Sequence, residues 1–242
     1  MMQNSSKIAI ISDIHANKYA LEKFLKYIEE NFKADKILNL GDFVHIGPHP
    51  KEVAQIIFND RRFENIIGNN EMILLDKYKP NQGSEHHTKW TRDQLGDIFL
   101  EKIQKTPTSK TLTINGEKVL MLHSHFYDTP GRSIQDNLLI YEGKTLNEFL
   151  DDYPREVRIV LVGHSHEQLY ISWKGKIIIN PGSLSITWKP IISFCLMEID
   201  TSNNINLEFK NISYDASKLK DDYKLRNVPE KDFIVKYFYP FL

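Results

Sequence analysis

Residues 7–15, KIAIISDIH, decide how the rest of the sequence is interpreted. The stretch begins with a short apolar run rich in β-branched residues, which is typical of a buried parallel strand. A carboxylate and an imidazole, Asp13 and His15, follow where the run ends. Because residues two apart share one side of an extended backbone, we expect these side chains to converge on one point. That point would lie at the carboxyl end of a strand, where open α/β sheets bind their ligands.

Taken alone, the stretch also fits a helix N-terminus, with Asp13 as the cap and His15 exposed to solvent. Four later stretches repeat the pattern of a polar or ionisable side chain after a strand, which favours the strand interpretation. These stretches end in Gly41-Asp42, Gly68-Asn69-Asn70-Glu71, His123 and Gly163-His164-Ser165-His166. Glycine at three of the turns lets the chain bend sharply and lets a ligand approach the backbone.

The composition is that of a soluble globular protein. The chain has 242 residues, of which 41% are hydrophobic and 26% charged, and its formal net charge is -1. This balance gives no indication of a nucleic-acid partner, and the absence of a signal-like start or a long apolar run indicates no membrane partner. The single cysteine, Cys195, lies in an apolar run and fits a buried position in a reducing compartment, so we expect a cytoplasmic protein.

Hydrophobic spacing predicts the order of the elements. Residues 18–32 have the pattern of an amphipathic crossover helix with Asn17 as its cap, and a second strand follows at residues 36–42. A hairpin turning on Asn115-Gly116 and a closing meander over residues 191–212 come later. Since no linker or repeat divides the chain, we expect residues 1–242 to form a single domain. Residues 213–242 are expected to be a C-terminal helical extension packed on it.

The residues at the predicted strand ends are those that bind divalent transition metals. Imidazole nitrogens stand together with carboxylate and amide oxygens, and no thiolate lies near them, which argues against a closed structural zinc site. The group is too large for one tetrahedral ion. It suits two ions about 3.5–4 Å apart that share a carboxylate, which is a hydrolytic arrangement.

The same motifs, in the same order, resemble those of the calcineurin-like metallophosphoesterases. Each motif is weak by itself, but together they span most of the chain. Two further stretches resemble the smaller bacterial and archaeal phosphodiesterase-like branch of that superfamily. They are residues 47–53, GPHPKEV, and residues 180–183, NPGS.

The resemblance implies an α/β fold, a two-sheet β sandwich flanked by helices, and a role for each ligand. Asp13, His15 and His166 would hold the first ion, and Asp42 would bridge. Asn69, His123 and His164 would hold the second ion. The ions would be Mn, Fe, Zn, Co or Ni, and a water between them would lose a proton and attack phosphorus in line with the leaving oxygen.

One position departs from the family pattern. In the family, the commonest form of the motif seen here as Gly68-Asn69-Asn70-Glu71 has a histidine at its third position. That histidine contacts the phosphate and assists the leaving group, and here Asn70 takes its place. An amide can donate a hydrogen bond to a phosphate but cannot act as a general acid, so we expect diesters or good leaving groups to be preferred. His45 and His125 are candidates to replace the acid, although a partly exposed loop histidine is the simpler interpretation of both. His125 is the stronger of the two, because it follows His123 by two residues. We expect His49, His86 and His87 to lie at the surface.

Three functions follow from this sequence. The favoured one is a dinuclear metal-dependent phosphoesterase that acts on a small phosphoester or nucleotide. A catalytically silent protein that keeps the fold as a binding scaffold is disfavoured, because all seven predicted ligands are present and would be costly to bury without a metal. A protein phosphatase is disfavoured by Asn70 and by the branch-like loops. A homodimer formed through a sheet edge or the C-terminal tail is compatible with the sequence.

Overall fold

A computed structural model describes residues 5–78, 85–124 and 153–242 of the chain. Within these ranges the strands form two sheets of five strands each, with helices packed on them. The predicted α/β sandwich is therefore confirmed. In chain order the strands are β1 Ser6–Ile11, β2 Lys36–Asn39, β3 Phe63–Asn65, β4 Ser109–Ile114, β5 Glu117–Leu122, β6 Ile159–Leu161, β7 Gln168–Trp173, β8 Lys176–Pro181, β9 Ile191–Ile199 and β10 Ile205–Ser213.

The first sheet has the strand order β10-β9-β1-β2-β3. Strands β1, β2 and β3 run parallel, with Ile8 opposite Lys36 and Ile37 opposite Phe63, and β9 joins the other edge of β1 in the antiparallel sense. The predicted crossover between β1 and β2 is confirmed. The apolar residues after Asn65 predict a third strand that begins there and runs toward Gly68. In the structure β3 instead ends at Asn65, and residues 66–68 lead into the next helix.

The second sheet has the strand order β4-β5-β6-β8-β7. Strands β4 and β5 form the predicted hairpin around Asn115-Gly116, and β5, β6 and β8 run parallel. Because β5 and β6 are parallel neighbours, the loops that carry His123 and His164 leave the sheet side by side.

Alternation along β1 explains its near-continuous apolar run. Ile8 and Ile10 belong to the core between the two sheets, together with residues of β5, β6, β8 and β9. Ala9 and Ile11 belong to the core between the first sheet and its helices. A strand that is covered on both faces needs apolar residues at every position, and all four of these side chains are fully buried.

Helices α1 to α4, whose bounds are given below, cover the outer face of the first sheet. In the first of them, Asn17 caps the N-terminus as predicted, since its side-chain oxygen accepts a hydrogen bond from the Ala20 backbone at 3.2 Å. The long helical segment is divided at Gly96 (φ 65°, ψ 171°). Pro80 and Gly83 predict another break in a helical segment over residues 72–105, and that position lies outside the described residues. The helices are α1 Lys18–Asn31, α2 Pro50–Asn59, α3 Asn69–Leu74, α4 Glu85–Lys105, α5 Ser217–Leu225 and α6 Lys231–Phe238.

The last two helices, α5 and α6, have a small core of their own. Its fully or nearly fully buried members include Leu219, Tyr223 and Tyr239, which pack with Ile46 and Ile186 from the loops near the candidate ligands. The single-domain organisation with residues 213–242 as an extension stays a prediction. No helix in the described part of the chain is long and apolar enough to cross a membrane.

Candidate metal centre

The loops that carry the candidate ligands adopt a backbone conformation that side-chain-bearing residues seldom take. The φ angles are 57° at Asp13, 46° at His15, 55° at Asp42, 69° at His164 and 62° at His166. The expectation of an extended backbone at Asp13 and His15 is therefore wrong. These residues lie in the left-handed region, so the chain turns sharply after the strand, and strain of this kind is concentrated at functional sites.

Backbone contacts hold these loops against one another. The backbone N–H of Asp13 donates to Gly41 at 3.0 Å and that of His15 donates to Asp42 at 2.9 Å. The approach is close enough to require glycine, because a Cβ on Gly68 would lie 2.2 Å from Asp42 Oδ1 and one on Gly163 would lie 2.0 Å from Ser12 Oγ. The glycine turns were predicted to let a ligand approach the backbone. In the structure they let the ligand-bearing loops approach one another.

Asp13, His15 and His166 form one cluster, which we call the Asp13 group. Asp13 Oδ1 lies 3.3 Å from His166 Nε2 and 3.6 Å from His15 Nε2, and the two imidazole nitrogens are 3.2 Å apart. Asp13 Oδ1 and His15 Nδ1 are buried without a hydrogen-bond partner among the described residues. Three ligand atoms therefore converge on one point, and one of them is a buried carboxylate oxygen to which no described residue donates a hydrogen bond.

Asp42, His123 and His164 form a second cluster, the Asp42 group. His123 Nε2 lies 3.3 Å from Asp42 Oδ2 and 3.3 Å from His164 Nδ1. His123 Nδ1 donates to the carbonyl oxygen of Leu40 at 2.8 Å, which fixes the imidazole ring and turns its Nε2 toward the cluster. The two groups are linked, because the backbone N–H of His164 donates to Asp13 Oδ2 at 3.0 Å.

The two asparagines at the start of α3 reach the Asp42 group from the neighbouring loop. Asn69 Oδ1 lies 3.0 Å from His123 Nε2. The backbone N–H of Asn70 donates to Asp42 Oδ1 at 2.9 Å, and its side-chain nitrogen donates to Asp42 Oδ2. The structure thus brings all seven sequence-predicted ligands and Asn70 into one region.

Electrostatics within the two groups favour charged carboxylates. Burial opposes ionisation of Asp42, but the charge of His123 and its hydrogen bond outweigh burial and hold the pKa of Asp42 well below its ordinary value. The converse applies to His123: burial lowers its pKa, whereas Asp42 raises it to a net value of about 10. Burial and the charge of His123 lower the pKa of His164 to about 4.

A family model described as the calcineurin-like phosphoesterase superfamily domain matches residues 7–202. The chain belongs to this superfamily. Its sequence is 26% identical, over 245 residues, to an uncharacterized protein of Methanocaldococcus jannaschii; the alignment covers 93% of this chain and 95% of that protein. The expected resemblance to metallophosphoesterases is thereby confirmed.

Two solved structures share the phosphoesterase fold over nearly the whole chain. One is a metallophosphoesterase from Sphaerobacter thermophilus (TM-score 0.72) and the other a hypothetical protein from Pyrococcus horikoshii OT3 (TM-score 0.74). Each is 21% identical in sequence, and each alignment covers 97% of this chain and 98% of the other chain. At this level of sequence identity, the similarity shows a shared fold and nothing further.

Three histidines expected near or at the surface of this superfamily member are instead buried. His45 is 8% exposed, His87 is 4% exposed and His49 is fully buried. The error has a simple cause, since residues distant in the sequence cover them. His49 Nε2 donates to Asp222 of α5 at 2.9 Å, 173 positions along the chain. His86 is exposed as expected, and His125 lies outside the described residues.

The sequence motif includes Glu71 but did not reveal its role, which is to organise the Asp42 loop. Its fully buried carboxylate accepts four backbone N–H groups: those of Phe43 and Val44 on Oε1 and those of Asp42 and Gly68 on Oε2, at 2.8–3.1 Å. An acidic residue three positions after a helix cap is a known N-terminal signal, and Glu71 follows Gly68 by three.

The predicted turn at residues 180–183 also has a role that its sequence did not reveal. Asn180 Nδ2 donates to the carbonyl oxygen of Gly163 at 2.8 Å, and Ser183 Oγ donates to that of Asp13 at 2.9 Å. One turn therefore supports the loops that carry His164, His166 and Asp13.

Proposed function

We propose that this chain is a phosphoester hydrolase that binds two divalent metal ions and acts on small phosphodiesters or phosphorylated metabolites, including nucleotides. The observation that carries the proposal is the pair of linked carboxylate–histidine groups at one end of the two sheets. Membership of the calcineurin-like superfamily supports hydrolysis of phosphoesters as the reaction class.

The side chains fit a metal centre on chemical grounds. Asp13 Oδ1 is a buried carboxylate oxygen that accepts no hydrogen bond from the residues that the structure describes, and the facing nitrogens of His15 and His166 are 3.2 Å apart. Ligand atoms gathered in this way, with an outer carbonyl that orients His123, are typical of bound transition metals. Asp13, His15 and His166 would hold one ion and Asn69, His123 and His164 the other, with Asp42 shared between them.

Mixed nitrogen and oxygen donors admit Mn, Fe, Zn, Co or Ni. When bound, such ions supply Lewis acidity, which lowers the pKa of water and neutralises the charge on phosphate oxygens. The loops described above hold the donors in place, and burial of the carboxylates excludes competing water from their inner oxygens. With the ions bound, the ligands of the Asp13 and Asp42 groups would hold a phosphate in position for in-line displacement.

Asn70 determines the leaving group that the site can expel. Its amide donates hydrogen bonds but has no proton to transfer, so the leaving oxygen must depart with little help from a general acid. We therefore expect diesters with acidic leaving groups to be hydrolysed faster than monoesters of ordinary alcohols.

The test compares hydrolysis of bis-p-nitrophenyl phosphate and p-nitrophenyl phosphate by protein loaded separately with Mn, Ni and Zn. We expect metal-dependent turnover, a higher rate with the diester, and a loss of at least about 100-fold in Asp42→Asn, which is the scale of removing one electrostatic contact to a transition state. Asp97→Asn, at an exposed position outside the site, is the matched control and should retain the wild-type rate.

Two outcomes would contradict the proposal. Absence of turnover with every metal, despite two bound ions per chain by elemental analysis, would favour the non-catalytic scaffold. Preferential hydrolysis of phosphopeptides over both reporters would favour a protein phosphatase.

A further inference from the structure

The hydrogen bonds of Asn70 determine which way its amide points. An ionised carboxylate can only accept, so the amide nitrogen of Asn70 must be the atom that meets Asp42 Oδ2. Its oxygen then faces His45 Nδ1 at 2.8 Å. Because a carbonyl oxygen only accepts, His45 Nδ1 must carry a hydrogen. The two hydrogen bonds therefore point the same way: His45 donates to Asn70, and Asn70 donates to Asp42.

We propose that His45 is a positioning residue that holds the Asn70 amide with its nitrogen turned toward the metal centre. There the amide nitrogen donates one hydrogen to Asp42 and offers its second to an oxygen of a bound phosphoryl group. The contact with the phosphoryl group rests on the proposed function, whereas the orientation of the amide does not.

The surroundings of His45 suit this role and exclude that of a replacement acid. Burial, with a smaller contribution from His87, lowers the pKa of His45 to about 3, so the ring is neutral. A neutral imidazole has one N–H, and here Nδ1 carries it, which leaves Nε2 as a buried lone pair without a hydrogen-bond partner among the described residues. The one N–H of this neutral ring donates to Asn70, so His45 cannot act as a general acid toward a leaving group.

Packing keeps the His45 ring fixed. It meets the ring of His87 edge-on at a centroid distance of 4.7 Å, and His87 in turn stacks on Trp90 at 5.9 Å. His87 Nε2 accepts the backbone N–H of Ile46 at 3.1 Å, which ties it to the loop of His45. A donor held this firmly can fix a neighbouring amide.

Loss of the Nδ1 donor would release the amide of Asn70. Rotation by half a turn would bring Asn70 Oδ1 against the charged oxygen of Asp42, and other orientations would withdraw the donor from the site. His45→Leu removes the donor and keeps much of the volume. His45→Asn places an amide N–H one bond beyond Cγ, as in histidine, and can restore the contact.

The first experiment uses metal-free, ¹⁵N-labelled protein. Long-range ¹H–¹⁵N spectra should show the Nδ1–H tautomer of His45 without titration from pH 8 to pH 5.5. The side-chain amide protons of Asn70 should be protected from exchange in the wild type and in His45→Asn, and should lose this protection in His45→Leu. His86→Leu, at an exposed histidine, is the matched control and should leave the Asn70 signals unchanged.

The second experiment uses the Mn-loaded enzyme with bis-p-nitrophenyl phosphate. We expect kcat to fall by about 10–100-fold in His45→Leu, the range known for groups that orient ligands, with the number of bound ions unchanged. His45→Asn should recover most of the loss. Equal losses in the leucine and asparagine variants, or an Nε2–H tautomer in the spectra, would overturn the proposal. A wild type without turnover would refute the proposed function and the phosphoryl contact, while the spectra would still decide how the amide is held.

Discussion

The Asp13 group and the Asp42 group contain the same residue types but are supported differently. In the Asp42 group, both carboxylate oxygens accept from Asn70, and His123 is anchored on the carbonyl oxygen of Leu40. In the Asp13 group, as far as the structure describes the chain, the one ligand-side-chain atom held from outside the group is Asp13 Oδ2, which accepts from the backbone of His164. Asp13 Oδ1 and His15 Nδ1 have no hydrogen-bond partner in the described part of the chain, and the His166 side chain is 26% exposed.

This difference indicates that the ligand side chains of the two groups are oriented by different contacts. The fold itself orients the ligands of the Asp42 group before any metal is present, which lowers the cost of binding. The ligands of the Asp13 group are fixed mainly by the turns of the backbone, and an ion bound among them would satisfy the unpartnered oxygen Asp13 Oδ1. We therefore expect the Asp42 group to bind the first ion and to bind it more tightly.

Removing one imidazole from each group tests this comparison most directly and should have the largest effect. His166→Ala should lose the weaker ion and leave the affinity of the tighter one nearly unchanged. His123→Ala should weaken the tighter ion by at least about 100-fold, the upper end of the effect of losing an outer ligand partner. Mn²⁺ titration by calorimetry, with elemental analysis after dialysis, measures both.

The exposed residue His86 provides the control, since His86→Ala should bind two ions as the wild type does. If His166→Ala instead abolished the tighter ion, the order of the two groups would be reversed.

The next prediction concerns the support of the Asp42 loop. Glu71→Gln replaces one carboxylate oxygen by an N–H₂ group that would face two backbone donors. Each unsatisfied buried donor costs about 1–3 kcal/mol, so we expect a loss of about 2–4 kcal/mol in the free energy of unfolding, measured with urea on metal-free protein. The metal affinity of the Asp42 group should fall more than that of the Asp13 group.

Glu64→Gln is the matched control for this charge change. Glu64 accepts from Lys36 and Lys110 at a partly exposed position, where ion pairs contribute less than about 1 kcal/mol. Equal destabilisation by the two variants would show that the four bonds of Glu71 are not needed to hold the loop.

Much of this fold could be predicted because its signals are local. The apolar run before Asp13, the helix cap at Asn17 and the Asn115-Gly116 turn each depend on a few adjacent residues. The superfamily could be predicted because residue type and order suffice for it. The turn at Asp13 and His15 could not, because a left-handed φ at a non-glycine residue is imposed by contacts with other loops, such as the bond from Asp13 to Gly41.

Burial of the loop histidines was unpredictable for a related reason. His49 is covered through Asp222, and the loop of His45 meets Tyr223, whose hydroxyl donates to Ile46 at 3.4 Å. Both partners lie in α5, beyond the residues that the family model matches. A hydrophilic loop looks exposed in sequence until the element that covers it is placed in space.

The smallest predicted effect compares the protons that the two imidazoles of the Asp42 group hold before metal binding. The charge of Asp42 overcomes burial and raises the pKa of His123 to about 10, whereas His164, at about 4, is neutral at pH 8. A metal ion must therefore displace about one proton, from His123, and its affinity should rise by about tenfold per pH unit between pH 7 and pH 9. In the metal-free protein the same raised pKa stabilises the fold below pH about 6.5, and this contribution is lost as the pH approaches 10.

Calorimetry of Mn²⁺ binding to His166→Ala, in two buffers of different ionisation enthalpy, isolates the Asp42 group and counts the protons released. We expect about one proton per ion at pH 8 and markedly fewer when Asp42→Asn is added, because burial then dominates the pKa of His123. If His166→Ala released the same number of protons per ion with and without the added Asp42→Asn change, Asp42 would not be what keeps His123 protonated. The orientation of His123 by Leu40 would then be the main support that distinguishes this group from the Asp13 group.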